Sequence, residues 1–376
     1  MSALYFHIPF CKTRCSYCAF FSSTYRELKD KYVAALCREL HARAGNPTSK
    51  HFFTGEGFKT VYFGGGTPSQ LSLSQLQEIL TSAAPYISNA EEITIECNPD
   101  DITQEYAEGL VSMGFNRVSL GVQTFDNRRL KFINRRHNAE KAASAVSMLK
   151  EAGFKNISID LMYGFPDQTL DDWQRDIDSA LALNVQHISC YCLTYEEETP
   201  LYDMLQRGDI AEISDELASD MYYLLIDKLT AKGYHHYEIS NFAMPGWHSR
   251  HNSAYWDGTH YMGIGAGAHS YNGNQRWWNI CDVKAYIKAL KEGKVKGISE
   301  SEILTDVDKY NEFVMTRLRT SRGICKTDIP ADFRKEFTCA AKPYINNGLL
   351  EDTPSAIRLS RKALFVSDSV ISSLFI

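Results

Sequence analysis

The chain has no excess of basic residues, no long apolar run and no recognisable leader, and each absence excludes a class of protein. Its 40 Lys and Arg against 46 Asp and Glu give a formal net charge of -6, which does not attract nucleic acid phosphates or anionic lipids over long range. No apolar stretch reaches the roughly 20 residues of a membrane span. The residues after Met1 enter a strand-like run without the basic and apolar regions of a signal peptide. We therefore expect a cytoplasmic protein that neither binds nucleic acid nor has an integral membrane segment.

The chain also lacks the cysteine pattern of a disulfide framework. Its 10 cysteines should lie in a reducing compartment, where most are buried small side chains and a minority act as ligands. Spacing separates the two kinds, because Cys11, Cys15 and Cys18 form CxxxCxxC in HIPFCKTRCSYCAFF. Cys190 and Cys192 alternate along one predicted strand, and we expect both in the core.

Apolar runs alternate with helical periodicity up to about residue 232, which is typical of βα units and a parallel sheet. The predicted strands cover 4–8, 59–63, 92–96, 117–121, 157–161 and 187–193. The predicted helices cover 24–44, 74–84, 103–113, 138–152, 170–182 and 214–231. A closed barrel of this kind needs eight units. The pattern therefore predicts an α/β fold with a partial, open (βα)6 TIM-like barrel.

The chain beyond the sixth unit is of a different kind, rich in Gly, Trp, Tyr and Asn. Near its end, helical periodicity at about 305–319 and 330–346 is followed by a hairpin pattern in LLEDTPSAIRLS and a last helix. This order predicts a smaller C-terminal α+β domain that is winged-helix-like. The predicted division is a barrel over 1–232, a barrel extension over 233–300 and a C-terminal domain over 301–376.

The cysteine motif lies in the loop after the first predicted strand, where βα barrels build their sites. Three thiolates supply three of the four ligands of a [4Fe-4S] cluster and leave one iron for an outside ligand. The amino and carboxylate groups of S-adenosylmethionine (SAM) can chelate that iron, beside which the sulfonium can be cleaved reductively to a 5'-deoxyadenosyl radical. A zinc site is the alternative, but the second cysteine pair or histidine spacing that it usually needs does not follow.

Polar and glycine residues follow the later predicted strands. In VYFGGGTPSQL, the carbonyl oxygens of Gly65 and Gly66 can accept hydrogen bonds from an ammonium group. A phosphate-binding loop is the alternative, but its lysine and Ser/Thr are absent. Glu96, Gln123 and Asp160 lie at or near strand ends, where they can serve a site or simply act as helix caps or solvated strand ends.

Seven motifs, in order along almost the whole chain, resemble one known family. They are FHIPFC with CxxxCxxC, GGGTP, ECNPD, GVQTF, INRRH, IDLMYGFP and HNxxYW. Together they resemble the radical SAM superfamily, and within it the oxygen-independent coproporphyrinogen III oxidase family, particularly its haem-chaperone (HemW-like) branch. The resemblance implies a [4Fe-4S] cluster on the three cysteines, SAM beside it and an electron donor for the cluster. The residues that it implies near SAM are Tyr5, Tyr17, Gly65, Gly66, Thr67, Glu96, Gln123, Arg135, Asp160 and Thr194.

The resemblance also implies a role for each of these groups. The backbone of the GGGTP loop and the carboxylate of Glu96 would bind the methionine ammonium, and Arg135 would bind its carboxylate through a guanidinium fork. Gln123 and Asp160 would bind the ribose hydroxyls, and the backbone of Thr194 would meet adenine. Only the resemblance selects Arg135 over the adjacent Arg136.

Two features favour the chaperone branch over the oxidase branch. Oxidase members have another cysteine two residues after the third, where this chain has Phe20. In chaperone relatives HNxxYW is associated with haem, so His251 would ligate the haem iron while Tyr255 and Trp256 pack on the macrocycle. The alternative is that these aromatic rings anchor a loop and that His251 only donates or accepts a hydrogen bond. Rival histidines lie nearby at His235, His236, His248, His260 and His269.

These features predict a haem chaperone that binds a cluster, SAM and haem and transfers haem to an acceptor protein. The alternative function is an oxygen-independent coproporphyrinogen III oxidase, which decarboxylates its substrate by hydrogen abstraction. A third is radical chemistry on an unrelated substrate. The sequence does not decide whether the chain itself cleaves SAM as an enzyme.

Overall fold

The computed structural model describes residues 2–45 and 57–376, and its first part consists of six βα units. The strands are β1 (Ser2–Ile8), β2 (Thr60–Gly65), β3 (Glu92–Cys97), β4 (Arg117–Gln123), β5 (Ile157–Tyr163) and β6 (His187–Cys192). The helices are α1 (Lys29–Ala44), α2 (Leu73–Ile87), α3 (Gln104–Ser112), α4 (Asn127–Phe132), α5 (Ala139–Glu151), α6 (Leu170–Ala182), α7 (Pro200–Gln206) and α8 (Asp215–Ala231). The predicted strands and helices are therefore present, with α4 and α7 as short additions.

Local sequence explains where several of these helices begin. Ser72, Thr169 and Ser214 each precede a helix, and each side-chain oxygen accepts a hydrogen bond from a backbone N–H of the first turn. Such caps satisfy donors that have no partner within the helix. Ser72 and Thr169 follow the loops after β2 and β5, so those two loops at the barrel mouth are fixed at both ends.

The six strands pair in parallel in chain order, and further strands extend the sheet at both edges. The additional elements are β7 (His235–Glu238), β8 (Asn241–Ala243), α9 (Arg250–Trp256), β9 (His260–Ile264), β10 (His269–Tyr271), β11 (Gln275–Asn279), α10 (Val283–Lys291) and β12 (Ser299–Ile303). The strand order is β12-β11-β10-β9-β1-β2-β3-β4-β5-β6-β8-β7. The sheet is open, which confirms the predicted partial barrel. The predicted extension contributes strands to both edges, and the boundary at 232 remains a prediction.

The main core lies between this sheet and its helices. Strands β1 to β6 are largely buried on both faces, as expected for parallel strands that are covered by crossover helices. Trp173 of α6 is fully buried and donates its indole N–H to the carbonyl of Met221 in α8 at 2.9 Å. This packing holds the strand ends, and hence the site, in fixed positions.

The C-terminal domain has a core of its own. Its elements are α11 (Asp306–Leu318), β13 (Ile324–Cys325), α12 (Arg334–Asn346), β14 (Leu350–Asp352), β15 (Ala356–Leu359) and α13 (Ser367–Ser372). The strands form a small antiparallel sheet in the order β13-β15-β14. Tyr310, Val314 and Phe337 are buried in its separate core. The predicted smaller α+β domain, with two helices, a hairpin and a last helix, is therefore present.

Candidate functional site

A cavity of about 720 Å³ opens at the carboxyl ends of the parallel strands. It brings together every residue predicted to hold the cluster or SAM except Tyr5. These lining residues are Cys11, Cys15, Cys18, Tyr17, Gly65, Gly66, Thr67, Glu96, Gln123, Arg135, Asp160 and Thr194. Side chains that are far apart in sequence therefore meet because they lie on, or in the loops after, different strands of the sheet.

The cysteine loop forms one wall of this cavity. Backbone hydrogen bonds hold it, including one from Cys11 N–H to the carbonyl of Ser23 at 3.0 Å. The Cys11 Sγ lies 3.4 Å from Thr67 Oγ1, and Arg135 donates Nη1–H to Cys15 Sγ at 3.5 Å. Burial raises the pKa of the Cys11 and Cys18 thiols. They are therefore protonated in the ligand-free protein, and coordination to a metal would remove those protons.

The chemistry of this wall fits an iron–sulfur cluster. A cubane cluster takes one thiolate on each of three irons, so its protein ligands need not converge on one ion. Within residues 2–45 and 57–376, no group of three or more His, Cys, Asp or Glu is placed to hold a single metal ion. The three thiols instead face a common cavity, with the guanidinium of Arg135 beside one of them.

Glu96 lies at the end of β3 with its carboxylate directed into the cavity. Its Oε1 accepts a hydrogen bond from Tyr62 OH at 2.8 Å, and its Oε2 accepts one from Gly65 N–H at 3.2 Å. Burial raises the pKa of Glu96 to about 7, although these hydrogen bonds act in the opposite direction. Burial therefore disfavours the ionised carboxylate, and a cationic ligand beside it would stabilise that ionised form. Its position therefore suits it to bind an ammonium group.

The structure distinguishes the two adjacent arginines. Arg135 donates to the carbonyl of Gly121 and to Cys15 Sγ, and its buried Nε has no hydrogen-bond partner among the residues that the structure describes. Arg136 instead forms an ion pair with Asp101, with N···O distances of 3.0 and 3.1 Å. Arg135 thus holds an unsatisfied donor beside the cluster loop, whereas the charge of Arg136 is already paired.

Gln123 and Asp160 lie on the adjacent strands β4 and β5. A bulge shifts the register between Gly121 and Gln123, and Gln123 takes a positive φ of 72°. Asp160 accepts a hydrogen bond from Ser119 Oγ at 3.2 Å, and burial raises its pKa. Two side chains that can bind hydroxyl groups therefore line the middle of the cavity.

The glycines after β2 are needed for packing within the protein. Gly65 has a φ of 110°, and a Cβ added to it would lie 2.6 Å from the ring of His7. His7 is itself fixed, since its ring nitrogens lie within hydrogen-bonding distance of Tyr5 OH and the carbonyl of Phe21. The glycine loop therefore packs directly against β1, and its backbone can still face the cavity from the other side.

Tyr5 lies behind the cavity wall. One of its ring carbons is 3.0 Å from the position of a Cβ on Gly64, and its ring stacks on Tyr62 with 6.1 Å between centroids. Tyr5, which is predicted to lie near SAM and the cluster, therefore does not line the cavity itself.

His251 lies apart from the cavity, in α9, which packs against β1 and β2. It is only 1% exposed, and its ring stacks on Tyr62 at 4.9 Å. Its Nδ1 lies 2.9 Å from Thr60 Oγ1, and its Nε2 lies 3.1 Å from Tyr255 OH. Thr60 begins β2, so His251 occupies the end of the barrel opposite the cysteine loop. Both ring nitrogens already have partners, and the role of His251 as a haem ligand remains a prediction.

The aromatic members of HNxxYW also have partners within the protein. Tyr255 packs edge-on against both His251 and Tyr261, and the guanidinium of Arg319 lies 5.2 Å from the centre of the Trp256 ring. In this conformation these rings anchor α9 between the barrel and the C-terminal domain.

The cavity residues that were not found from the sequence include two at the end of β6, Tyr191 and Cys192. Tyr191 is 44% exposed, and its ring lines the cavity from the end of β6. Cys192 also lines it, so the prediction that both Cys190 and Cys192 are core residues is wrong for Cys192. Strict alternation fails here because β6 ends at Cys192, and a strand end at the barrel mouth is no longer covered on both faces.

No helix in residues 2–45 and 57–376 is both long and apolar enough to cross a membrane.

The comparisons with known proteins agree with this geometry. Residues 5–180 match the model of the radical SAM superfamily, and residues 304–366 match the model of the HemN C-terminal domain. The structure is similar to coproporphyrinogen III oxidase (HemN) from Escherichia coli, with a TM-score of 0.84 and 24% identity over 100% of this chain and 90% of that one. This similarity shows the fold.

Sequence relatives extend over the full chain. The chain is 36% identical to the heme chaperone HemW of Lactococcus lactis over 100% of its own length and 97% of the relative. It is 34% identical to the heme chaperone HemW of Bacillus subtilis, over 99% of both chains. With its open parallel sheet, its cysteine loop and these full-length relatives, the chain belongs to the HemW family of the radical SAM superfamily.

Proposed function

We propose that this protein is a haem chaperone that holds a [4Fe-4S] cluster and SAM in the strand-end cavity, binds haem and passes it to an acceptor protein. The observation that carries the proposal is the cavity itself, which gathers three thiols, the Glu96 carboxylate and the Arg135 guanidinium around one space. The family relatives named as haem chaperones support the cargo.

Each group has a task that follows from its chemistry. Cys11, Cys15 and Cys18 would ligate three irons of the cluster, and Arg135 would bind the methionine carboxylate with its unsatisfied Nε–H and its planar fork. Glu96 would accept hydrogen bonds from the methionine ammonium. When bound, the cluster and SAM supply one-electron chemistry that no protein side chain provides. An electron donor for the cluster is therefore part of the proposal.

Haem chaperoning is favoured over coproporphyrinogen III oxidation by one feature of the cysteine loop. Phe20 occupies the position at which the oxidase branch would have a cysteine, and it is 72% exposed. An exposed phenylalanine at the mouth of the cavity supplies apolar surface to a partner or cargo. We assign the activity to the cytoplasm, since all ten cysteines are free thiols and a reducing compartment preserves them.

Anaerobic reconstitution of the full chain tests the proposal. We expect iron and sulfide at about four each per chain, as a [4Fe-4S] cluster requires, together with SAM binding and a Soret band on addition of haem. The same preparation, given SAM, a reductant and coproporphyrinogen III, should form no protoporphyrinogen. Turnover of that substrate would establish the oxidase instead, and absence of haem binding would refute the chaperone assignment.

A variant series assigns the cluster ligands. Replacement of Cys11, Cys15 and Cys18 by alanine should abolish the cluster, whereas Cys192→Ala, which removes another thiol from the same cavity, should retain it. A cluster that survived loss of all three loop thiols would contradict the assignment.

A further inference from the structure

Two histidines form an exposed pair close to α9. His235, in the edge strand β7, and His248, two residues before α9 begins, are both exposed. Their ring centroids lie 6.2 Å apart at an interplanar angle of 64°. With metal–nitrogen bonds of about 2.0–2.1 Å, two imidazoles that share one ion have ring centroids about 4.5–6.5 Å apart, depending on the angle between the two bonds. The spacing of the pair therefore lies in the range at which both rings can ligate one metal.

The ring nitrogens of this pair are available to a ligand. Among the described residues, 2–45 and 57–376, no hydrogen bond to a ring nitrogen of His235 or His248 is found. The face of the His248 ring is supported, since it stacks on the buried Tyr237 at 4.3 Å and 14°. Burial and the neighbouring His235 lower the pKa of His248, so its ring is neutral at physiological pH. The neutral imidazole is the form that binds metals.

His251 differs from this pair in the access that a ligand has to its ring nitrogens. It is buried, and Thr60 and Tyr255 lie within hydrogen-bonding distance of its two nitrogens. Haem is a flat molecule with much apolar surface, and it cannot reach His251 while α9 is packed against β1 and β2. A chaperone with this fold therefore needs an accessible ligand before His251 can be reached.

We propose that His235 and His248 form a surface site that binds haem iron, as the first point of contact for haem on this protein. The site deepens the proposed function and rests on it. Trp247, which is partly exposed beside His248, offers an aromatic face to the macrocycle. Binding is a simple ligand exchange, in which imidazole nitrogens replace water or weaker ligands on the iron without oxidation or reduction. His251 follows His248 by three residues, so the buried histidine is the next histidine along the chain.

Stopped-flow mixing of the full chain with ferric haem tests this site. The variants are His235→Gln/His248→Gln, His251→Gln and, as a matched exposed histidine on α1, His41→Gln. We expect the double variant to associate with haem at least tenfold more slowly than the wild type and to lose the early spectrum of an imidazole-ligated low-spin iron. His251→Gln and His41→Gln should keep that early phase. Metal-free protoporphyrin, which cannot be ligated, should bind the wild type and the double variant equally.

The outcomes separate this proposal from the proposed function. If the wild type does not bind haem, the chaperone assignment fails and the surface site fails with it. If the wild type binds haem and the double variant does so at the same rate and with the same spectrum, the surface site alone is refuted. Binding of Zn²⁺ by the pair without any effect on haem association would also overturn its assignment to haem. Unchanged midpoints of thermal unfolding would show that the exposed substitutions leave the fold intact.

Discussion

Replacement of Glu96 by glutamine should stabilise the ligand-free protein above neutral pH and at the same time weaken SAM binding. The carboxylate is enclosed by Tyr62 and Gly65, and burial raises its pKa to about 7 from 4.5. Between these values the folded protein binds more protons than the unfolded chain, so stability falls as the pH rises through this window. The charge is therefore retained against a stability cost, which is expected of a residue that meets a cation.

The size of the effect follows from the pKa. The rise in the pKa of Glu96 from 4.5 to about 7 lowers the free energy of unfolding by about 3 kcal/mol at pH 8 and by about 1 kcal/mol at pH 5. Glutamine keeps an acceptor for Tyr62 OH but loses the bond from Gly65 N–H, which removes about 1 kcal/mol. The net gain in unfolding free energy should be about 2 kcal/mol at pH 8 and near zero at pH 5. Loss of the charged hydrogen bond to an ammonium, worth about 1.5–3 kcal/mol, should weaken SAM binding about 10- to 100-fold.

Urea unfolding of the apoprotein at pH 5 and pH 8, with anaerobic SAM binding in parallel, measures both effects. Glu238→Gln is the matched control, because Glu238 is also a buried carboxyl whose pKa is raised by burial, but its hydrogen-bond partner is Asn241 and it does not line the cavity. Relative to the wild type, Glu238→Gln should gain unfolding free energy as the pH rises, and it should leave SAM affinity unchanged. A stability difference for Glu96→Gln that is independent of pH, or undiminished SAM affinity, would refute this reasoning.

Two further substitutions test the remaining walls of the cavity. Arg135→Lys, which removes the guanidinium fork, should weaken SAM binding at least about tenfold. Arg136→Lys should alter SAM binding less than about threefold, because Arg136 pairs with Asp101. Equal effects of the two variants in equilibrium binding would contradict the assignment of Arg135 to SAM. Gly65→Ala should lower the unfolding free energy by about 2–4 kcal/mol, through both its positive φ and the clash with His7. Gly153→Ala is the control, because Gly153 has a φ of 106° but open space around an added Cβ. In the same denaturation assay it measures the backbone contribution alone. If it lowers the unfolding free energy as much as Gly65→Ala does, the clash with His7 is excluded.

The cavity could be predicted from the sequence because its residues follow directly from local patterns. A parallel βα repeat places every strand end at one edge, so Glu96, Gln123 and Asp160 meet there once the strands are assigned correctly. The cysteine loop could be recognised as a cluster site from the spacing of its cysteines and from its position after β1. The choice of Arg135 over Arg136 came from the family resemblance and not from the residues themselves, because the two differ only in the partners that tertiary packing gives them.

The region after α8 was harder to predict because its contacts are not local. Strands β7 and β8 join the sheet beside β6, whereas β9 to β12 join it beside β1, and no periodicity in the sequence records which edge a strand joins. The burial of His251 has the same origin. Its partners Thr60 and Tyr62 lie almost 200 residues earlier in the chain, so the motif alone could not show whether the imidazole faces solvent or core.

The position of His251 determines what a substitution there can prove. Its ring stacks on Tyr62, and the hydroxyl of Tyr62 donates to the Glu96 carboxylate in the SAM cavity. Removing the imidazole with alanine would create a void beside Tyr62 and leave Thr60 and Tyr255 without a buried partner, at a cost of about 1–3 kcal/mol for each unsatisfied group. Loss of haem binding in that variant would therefore combine lost ligation with altered packing at both ends of the barrel. Glutamine preserves volume and hydrogen bonding, and a His251→Gln variant that retains normal SAM affinity attributes a loss of haem to the missing ligand alone.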